Sequence, residues 1–169
     1  MRVGLLGGSF NPPHQGHVYI SDLAIKKLVL DQVWWIATKQ NPLKEAKIYE
    51  GYVSRLQKCE KLIWNHSRLK IHHFDEIHTE KLIKKLKAKY KNIEFFWIMG
   101  ADNLESFHRW KNFKKLISMI HIAIFAREKF LLKIKKFPAW NFIKQGKYSI
   151  FFTKNFDISS SKIRKNLHE

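Results

Sequence analysis

The chain has 169 residues, 45% of them apolar or aromatic, enough for one domain with a genuine core. No apolar run reaches the roughly eighteen residues of a membrane span. Val3–Leu6 is too short for a signal-peptide core, and the single Cys59 excludes an internal disulfide framework, so a cytoplasmic protein is expected. The formal net charge of +18 invites a nucleic-acid reading, but the cations are mostly lysines spread along the whole chain. The joint wealth of Ile, Asn, Phe and Lys is what A/T-rich codons produce. Neither a nucleic-acid nor a membrane partner is expected, and the positive field suits polyphosphate substrates.

Arg2–Leu6 reads as a first strand and Gly16–Leu30 as a helix, with Val18, Leu23, Ile25 and Leu28 forming a buried stripe. Gln32–Ala37 predicts a second strand, and Thr38–Lys47, with Asn41-Pro42, a loop. Tyr52–Asn65 has helical spacing through Val53, Leu56, Cys59, Leu62 and Ile63. Leu69–Phe74 follows as a strand, then Thr79–Tyr90 as an amphipathic helix through Leu82, Ile83, Leu86 and Tyr90. Ile93–Met99 is a fully apolar strand ending at Gly100, Leu104–Ile117 is mostly helix, and Met119–Phe125 is another buried strand. The basic stretch Lys133–Tyr148, with Phe137, Trp140 and Phe142, reads as a loop or a mobile insertion. Lys147–Phe152 is a last strand, followed by a short helix from Ser159 or Ser160. Strands alternating with helices predict an α/β fold, a doubly wound parallel sheet with helices on both faces.

In such a sheet, ligands bind beyond the carboxyl ends of the strands, and the polar motifs fall there. They are Gly7–His17 (GGSFNPPHQGH), Thr38–Lys44, Gly100–Asn103 and Asp157–Arg164 (DISSSKIR). The first has glycines where the chain turns and a helix N-terminus behind it, an arrangement that offers N–H groups to phosphate. It lacks the GxGxxG spacing of dinucleotide folds and the Gly-Lys-Ser/Thr ending of a P-loop. It carries His14 and His17 instead, donors suited to charge building on phosphoryl oxygens. Ser160 and Arg164, four apart, share a helix face, and a guanidinium grips phosphate with two bonds. His72-His73 and His78 do not make a metal site: adjacent strand residues face opposite ways and no second group has zinc spacing, so no protein-held metal is expected.

His14-Gln15-Gly16-His17 resembles the HxGH signature of the nucleotidylyltransferase superfamily, and GGSFNPPHxGH is similar to its nicotinate-mononucleotide adenylyltransferase branch. The resemblance implies a Rossmann-like nucleotidylyltransferase fold that joins ATP to nicotinate mononucleotide, giving deamido-NAD and pyrophosphate, with Mg²⁺ carried by ATP. His14 and His17 would stabilise the transition state. ATP would be held by Gly7, Gly8, Ser9, Phe10, Gly16, His17, Gly100, Asp102, Ile158, Ser159, Ser160 and Arg164. The pyridine mononucleotide would meet Asn11, Lys44, Thr79, Asp102 and Trp110, the last as a stacking surface.

The chain departs from the family pattern in several places. Ser161 replaces the usual Thr of ISSTxIR; His78 and Leu82 replace the Tyr and second Thr of Tyr-Thr-x-Asp-Thr-Leu. Glu128-Lys129 follows Arg127 where Arg-Pro-Gly is common, so Arg127 has no assigned role. Members also usually continue beyond this last motif, so either reduced C-terminal packing or a trimmed version of the chain is expected. Nicotinamide mononucleotide or phosphopantetheine as the acceptor, or a basic RNA-binding protein, remain the alternatives, and a homo-oligomer is left open.

Overall fold

The computed structural model describes residues 1–39, 50–153, 160 and 163–164. Six strands, β1 (Arg2–Gly8), β2 (Gln32–Ala37), β3 (Leu69–His72), β4 (Glu94–Gly100), β5 (His121–Arg127) and β6 (Tyr148–Thr153), form one sheet in the order β3-β2-β1-β4-β5-β6. Every pairing is parallel. Parallel neighbours need crossovers, and these are α1 (Gln15–Leu28), α2 (Tyr52–Ile63), α3 (Thr79–Lys89), α4 (Leu104–Phe107), α5 (Phe113–Met119), α6 (Glu128–Leu131) and α7 (Trp140–Ile143).

The chain winds outward from β1 to β3, then returns through α3 to lay β4 on the free side of β1. The loops after β1 and β4 therefore part in opposite directions and leave a crevice at their carboxyl ends, which is the predicted location for a ligand. Alternation along β1 sends Val3 and Leu5 into one core and Leu6 into the other. Leu82, Ile83 and Leu86 of α3 and Leu116 of α5 cover the first core; Ala24, Ile25 and Leu28 of α1 and Leu56, Cys59 and Ile63 of α2 cover the second. That is the doubly wound α/β sheet expected.

Several local expectations change. The Leu104–Ile117 helix is broken: α4 ends at Phe107 and α5 starts after Asn112, which sits at φ 55, a left-handed conformation asparagine tolerates better than most residues. The break is what brings Trp110 out of a helix and onto a turn. The Lys133–Tyr148 stretch is not an open loop. It folds into a 3₁₀ turn (Ile134–Lys136) and α7, because Ile134, Ala139 and Ile143 are buried in the first core while its lysines face water. In α2 the buried side is shifted: Val53 is 65% exposed, and Arg55 is 1% exposed in the stripe with Leu56 and Cys59. Strand β3 stops at His72, two residues short of Phe74, and its imidazole stacks on Trp34 at 4.0 Å between ring centroids. Most of the predicted Thr38–Lys47 loop and the greater part of the last helix lie outside the described residues, although Ser160, Ile163 and Arg164 are helical.

Candidate active site

Strand β1 delivers the chain into the crevice at Gly7 and Gly8. A Cβ on Gly7 would lie 2.5 Å from Cη2 of Trp97 on β4, so only glycine allows that indole to back the loop. Phe10 is left-handed at φ 45, an unusual state for a bulky side chain. Its ring is buried against Trp35, stacked at 4.9 Å and 10°, and touches the ring of His17 at 4.8 Å. Trp35 in turn donates from Nε1 to Ser21 Oγ at 2.9 Å, and Ser21 Oγ donates to the His17 carbonyl at 2.8 Å. Packing on β2 thus adds to the stiffness that Pro12 and Pro13 give the loop.

His14 is the N-cap of α1, and His17 stands in its first turn rather than at its start. His14 Nδ1 accepts from the Gly16 N–H at 3.1 Å, while the His14 N–H donates to His17 Nδ1 at 3.1 Å. This is a capping box made from two imidazoles, satisfying two backbone donors reciprocally. With each Nδ1 accepting, each neutral ring carries its proton on Nε2. Burial, reinforced by the Arg127 guanidinium, lowers the His14 pKa to about 4. Burial, reinforced by the neighbouring His14, lowers that of His17 to about 3. Both rings are therefore neutral at pH 7, each with an N–H to donate.

A cavity of about 420 Å³ opens at this point, and most of the predicted site residues meet on its wall. Gly7, Gly8, Ser9, Phe10, His14, Gly16 and His17 come from the first loop. Thr79 begins α3, Gly100 and Asp102 follow β4, Trp110 lies on the turn after α4, and Ser160 and Arg164 close the far side. Leu82 and Met99 contribute apolar surface between them. Trp110 is wedged edge-to-face against Trp97 (6.0 Å, 84°) and Phe107 (5.1 Å, 72°).

Asn11 is not brought to the wall: it is 3% exposed, and its Oδ1 accepts the Glu50 N–H at 3.3 Å. Ser160 Oγ donates to the Pro12 carbonyl at 2.9 Å and Arg164 Nη1 donates to the Asn11 carbonyl, so both brace the first loop as well as facing the cavity. Lys44, Ile158 and Ser159 lie outside the described residues.

Arg127, unassigned from sequence, reaches the cavity from the end of β5 beside His14. Arg109 and Lys111, which flank Trp110, line it too and were not anticipated; their one sequence signal was adjacency to Trp110. Among the described residues no group of three or more His, Cys, Asp or Glu side chains could hold a metal ion. Nor is any described helix long and apolar enough to cross a membrane.

Residues 5–166 match the model of the family described as cytidylyltransferase-like. The chain belongs to that family. Within it, the chain is 42% identical over 131 residues to a probable nicotinate-nucleotide adenylyltransferase of Agrobacterium fabrum, covering 75% of this chain and 70% of the relative. A protein of the same name from Mesorhizobium japonicum is 34% identical over 193 residues, 98% of this chain and 94% of that one. The nicotinic acid mononucleotide adenylyltransferase of Plasmodium falciparum, solved with NaAD, superposes with a TM-score of 0.79 at 22% identity, over 97% of this chain and 82% of its own. That likeness shows that the two chains share the same α/β fold.

Proposed function

We propose that this cavity transfers the adenylyl group of ATP to the phosphate of nicotinate mononucleotide, yielding deamido-NAD and pyrophosphate. One observation carries the reading: a neutral imidazole pair at the N-terminus of α1 faces the same cavity as an indole wedged on the turn after α4. The names borne by relatives of up to 42% identity support it.

The acceptor phosphate is already ionised at neutral pH and needs no strong base. One of its oxygens attacks the α-phosphorus of ATP in line; the new P–O bond forms as the bond from Pα to the bridging oxygen breaks, and pyrophosphate departs with that electron pair. Charge grows on the phosphoryl oxygens, and His14 and His17 meet it with Nε2–H donors, helped by the dipole of α1 and the cations Arg127 and Arg164. Mg²⁺ enters as part of the substrate, Mg·ATP, and offsets charge on the leaving pyrophosphate. Gly7 and Gly8 let the backbone approach the triphosphate, Asp102 accepts from a ribose hydroxyl, and Trp110 stacks on the pyridine ring. The family resemblance assigns Lys44 to the acceptor phosphate. The single Cys59 suits a reducing compartment, so the reaction is assigned to the cytoplasm.

The test is pyrophosphate release from Mg·ATP with nicotinate mononucleotide, nicotinamide mononucleotide and phosphopantetheine in parallel. A strong preference for the first is expected. Preference for the amide overturns the substrate and keeps the mechanism; turnover of phosphopantetheine overturns the branch. Silence with all three, alongside steeply salt-dependent RNA binding, would favour a nucleic-acid protein instead.

A further inference from the structure

A charged side chain lies behind the cavity, fully enclosed, in a place where no substrate reaches it. Arg55 of α2 is 1% exposed. Its Nε donates to the Glu50 carbonyl at 3.1 Å, its Nη2 to the carbonyls of Thr38 and Lys39, each at 2.9 Å, and its Nη1 to the carbonyl of Ser9. The Glu50 carboxylate itself accepts from Ser54 Oγ at 2.6 Å and Lys58 Nζ at 2.7 Å, while Arg55 takes the Glu50 carbonyl. The Tyr52 ring lies 5.4 Å from the guanidinium carbon.

Burying a guanidinium costs several kcal/mol unless its donors are met, and an apolar residue would fill this position on α2 more cheaply. What the charge gains here is reach. Four donations converge from one planar fork on three separate pieces of chain: the loop after β1, the loop after β2 and the entry to α2. Ser9 is the first residue beyond β1, and Phe10 after it is left-handed, stacked on Trp35 and in tilted contact with the His17 ring.

We propose that Arg55 is a positioning residue for the transfer loop: by fixing the Ser9 carbonyl against the loop after β2, it sets Phe10 and, through that ring, the His17 imidazole. A lysine cannot substitute, because one ammonium offers three donors from a single point and not a fork. This inference rests on the adenylyl-transfer reading for its kinetic test, but the placement of His17 can be read without any turnover.

The experiment compares Arg55→Lys and Phe10→Leu with the wild-type chain. Folded fraction is measured by urea unfolding at the assay temperature, and kcat is expressed per folded molecule. Histidine-specific ¹⁵N labelling reports the His17 ring nitrogens. Arg55→Lys is expected to lower kcat per folded molecule on the order of tenfold to a hundredfold, the scale of an ångström-sized misplacement, with KM for ATP moving far less. The His17 ring signals shift in the same variant. Phe10→Leu, which keeps Arg55 and removes the connecting ring, gives the same pattern and serves should Arg55→Lys not fold. Wild-type kcat per folded molecule in a folded variant, or unmoved His17 signals, would reduce Arg55 to a structural plug. If the wild-type chain itself turns over none of the acceptors, the adenylyl-transfer reading fails, and the ring signals alone decide the role of Arg55.

Discussion

The main-chain N–H of His14 ends on Nδ1 of His17, 3.1 Å away, and the two rings stand 3.9 Å apart. Neither imidazole is therefore an independent group. Removing the His17 ring orphans the His14 N–H, and removing the His14 ring orphans the N–H of Gly16. His17→Ala is expected to lower kcat on the order of a hundredfold or more, as for other lost transition-state donors. The double variant His14→Ala/His17→Ala should lose little beyond the worse single one, because each change already disturbs the other ring. Additive losses in a kinetic double-mutant cycle would mean that the rings act separately.

The same pair sets how stability depends on pH. In the folded chain His14 titrates at about 4 and His17 at about 3, both below the ordinary 6.5. Between those limits the unfolded chain binds more protons, so stability is fully present above about pH 6.5 and falls as the solution is acidified toward them. Each histidine contributes a slope of at most about 1.4 kcal/mol per pH unit, since each takes up at most one proton. His17→Gln keeps an acceptor for the His14 N–H but does not titrate. Urea unfolding from about pH 7 to about pH 5 should give a flatter pH dependence for that variant than for the wild type. Equal slopes would show that His17 is already charged in the folded protein.

Gly7 and Trp97 offer a packing test of the loop's foundation. An alanine Cβ at position 7 would meet Cη2 at 2.5 Å and Cζ2 at 2.7 Å, both on an indole that is 3% exposed. Gly7→Ala should destabilise by about 1–3 kcal/mol, the usual cost of overpacking. Trp97→Phe removes the two opposing atoms, so the double variant should be more stable than the sum of the single changes by about 0.5–3 kcal/mol. A coupling energy near zero would mean that the loop backbone moves away from the new methyl instead.

Much of this was legible in the sequence because it rests on local chemistry. Short apolar runs such as Val3–Leu6 and Phe95–Met99, each followed by glycine, read as buried strands, and GGSFNPPHQGH carries turn, cap and donors within eleven consecutive residues. What escaped depends on tertiary partners. Val53 and Arg55 both fit a helical stripe, and only the carbonyls of Ser9, Thr38, Lys39 and Glu50, brought from elsewhere in the chain, select the arginine for burial. The turn at Asn112 overrides a helical pattern because it lets Trp110 dock on Trp97. The basic stretch from Lys133 hides its three buried residues, Ile134, Ala139 and Ile143, among lysines, with no run long enough to announce an element. Asn11 sits inside the most specific motif of the chain, yet it faces Glu50 rather than the cavity.

Replacing Trp110 is a test that tells the two substrates apart. Its indole lines the cavity while its ring system rests on Trp97 and Phe107, so it is braced from behind and half-buried. If it stacks on the pyridine ring, Trp110→Ala should raise KM for the mononucleotide by an amount that reflects a stacking contribution of about 1–3 kcal/mol, and leave KM for ATP nearly unchanged. Trp110→Phe keeps an aromatic face of smaller area and should fall between the two. Parallel losses for both substrates would instead mean that the indole serves as a wedge holding the turn after α4, and its contribution would then appear in unfolding free energy rather than in substrate affinity.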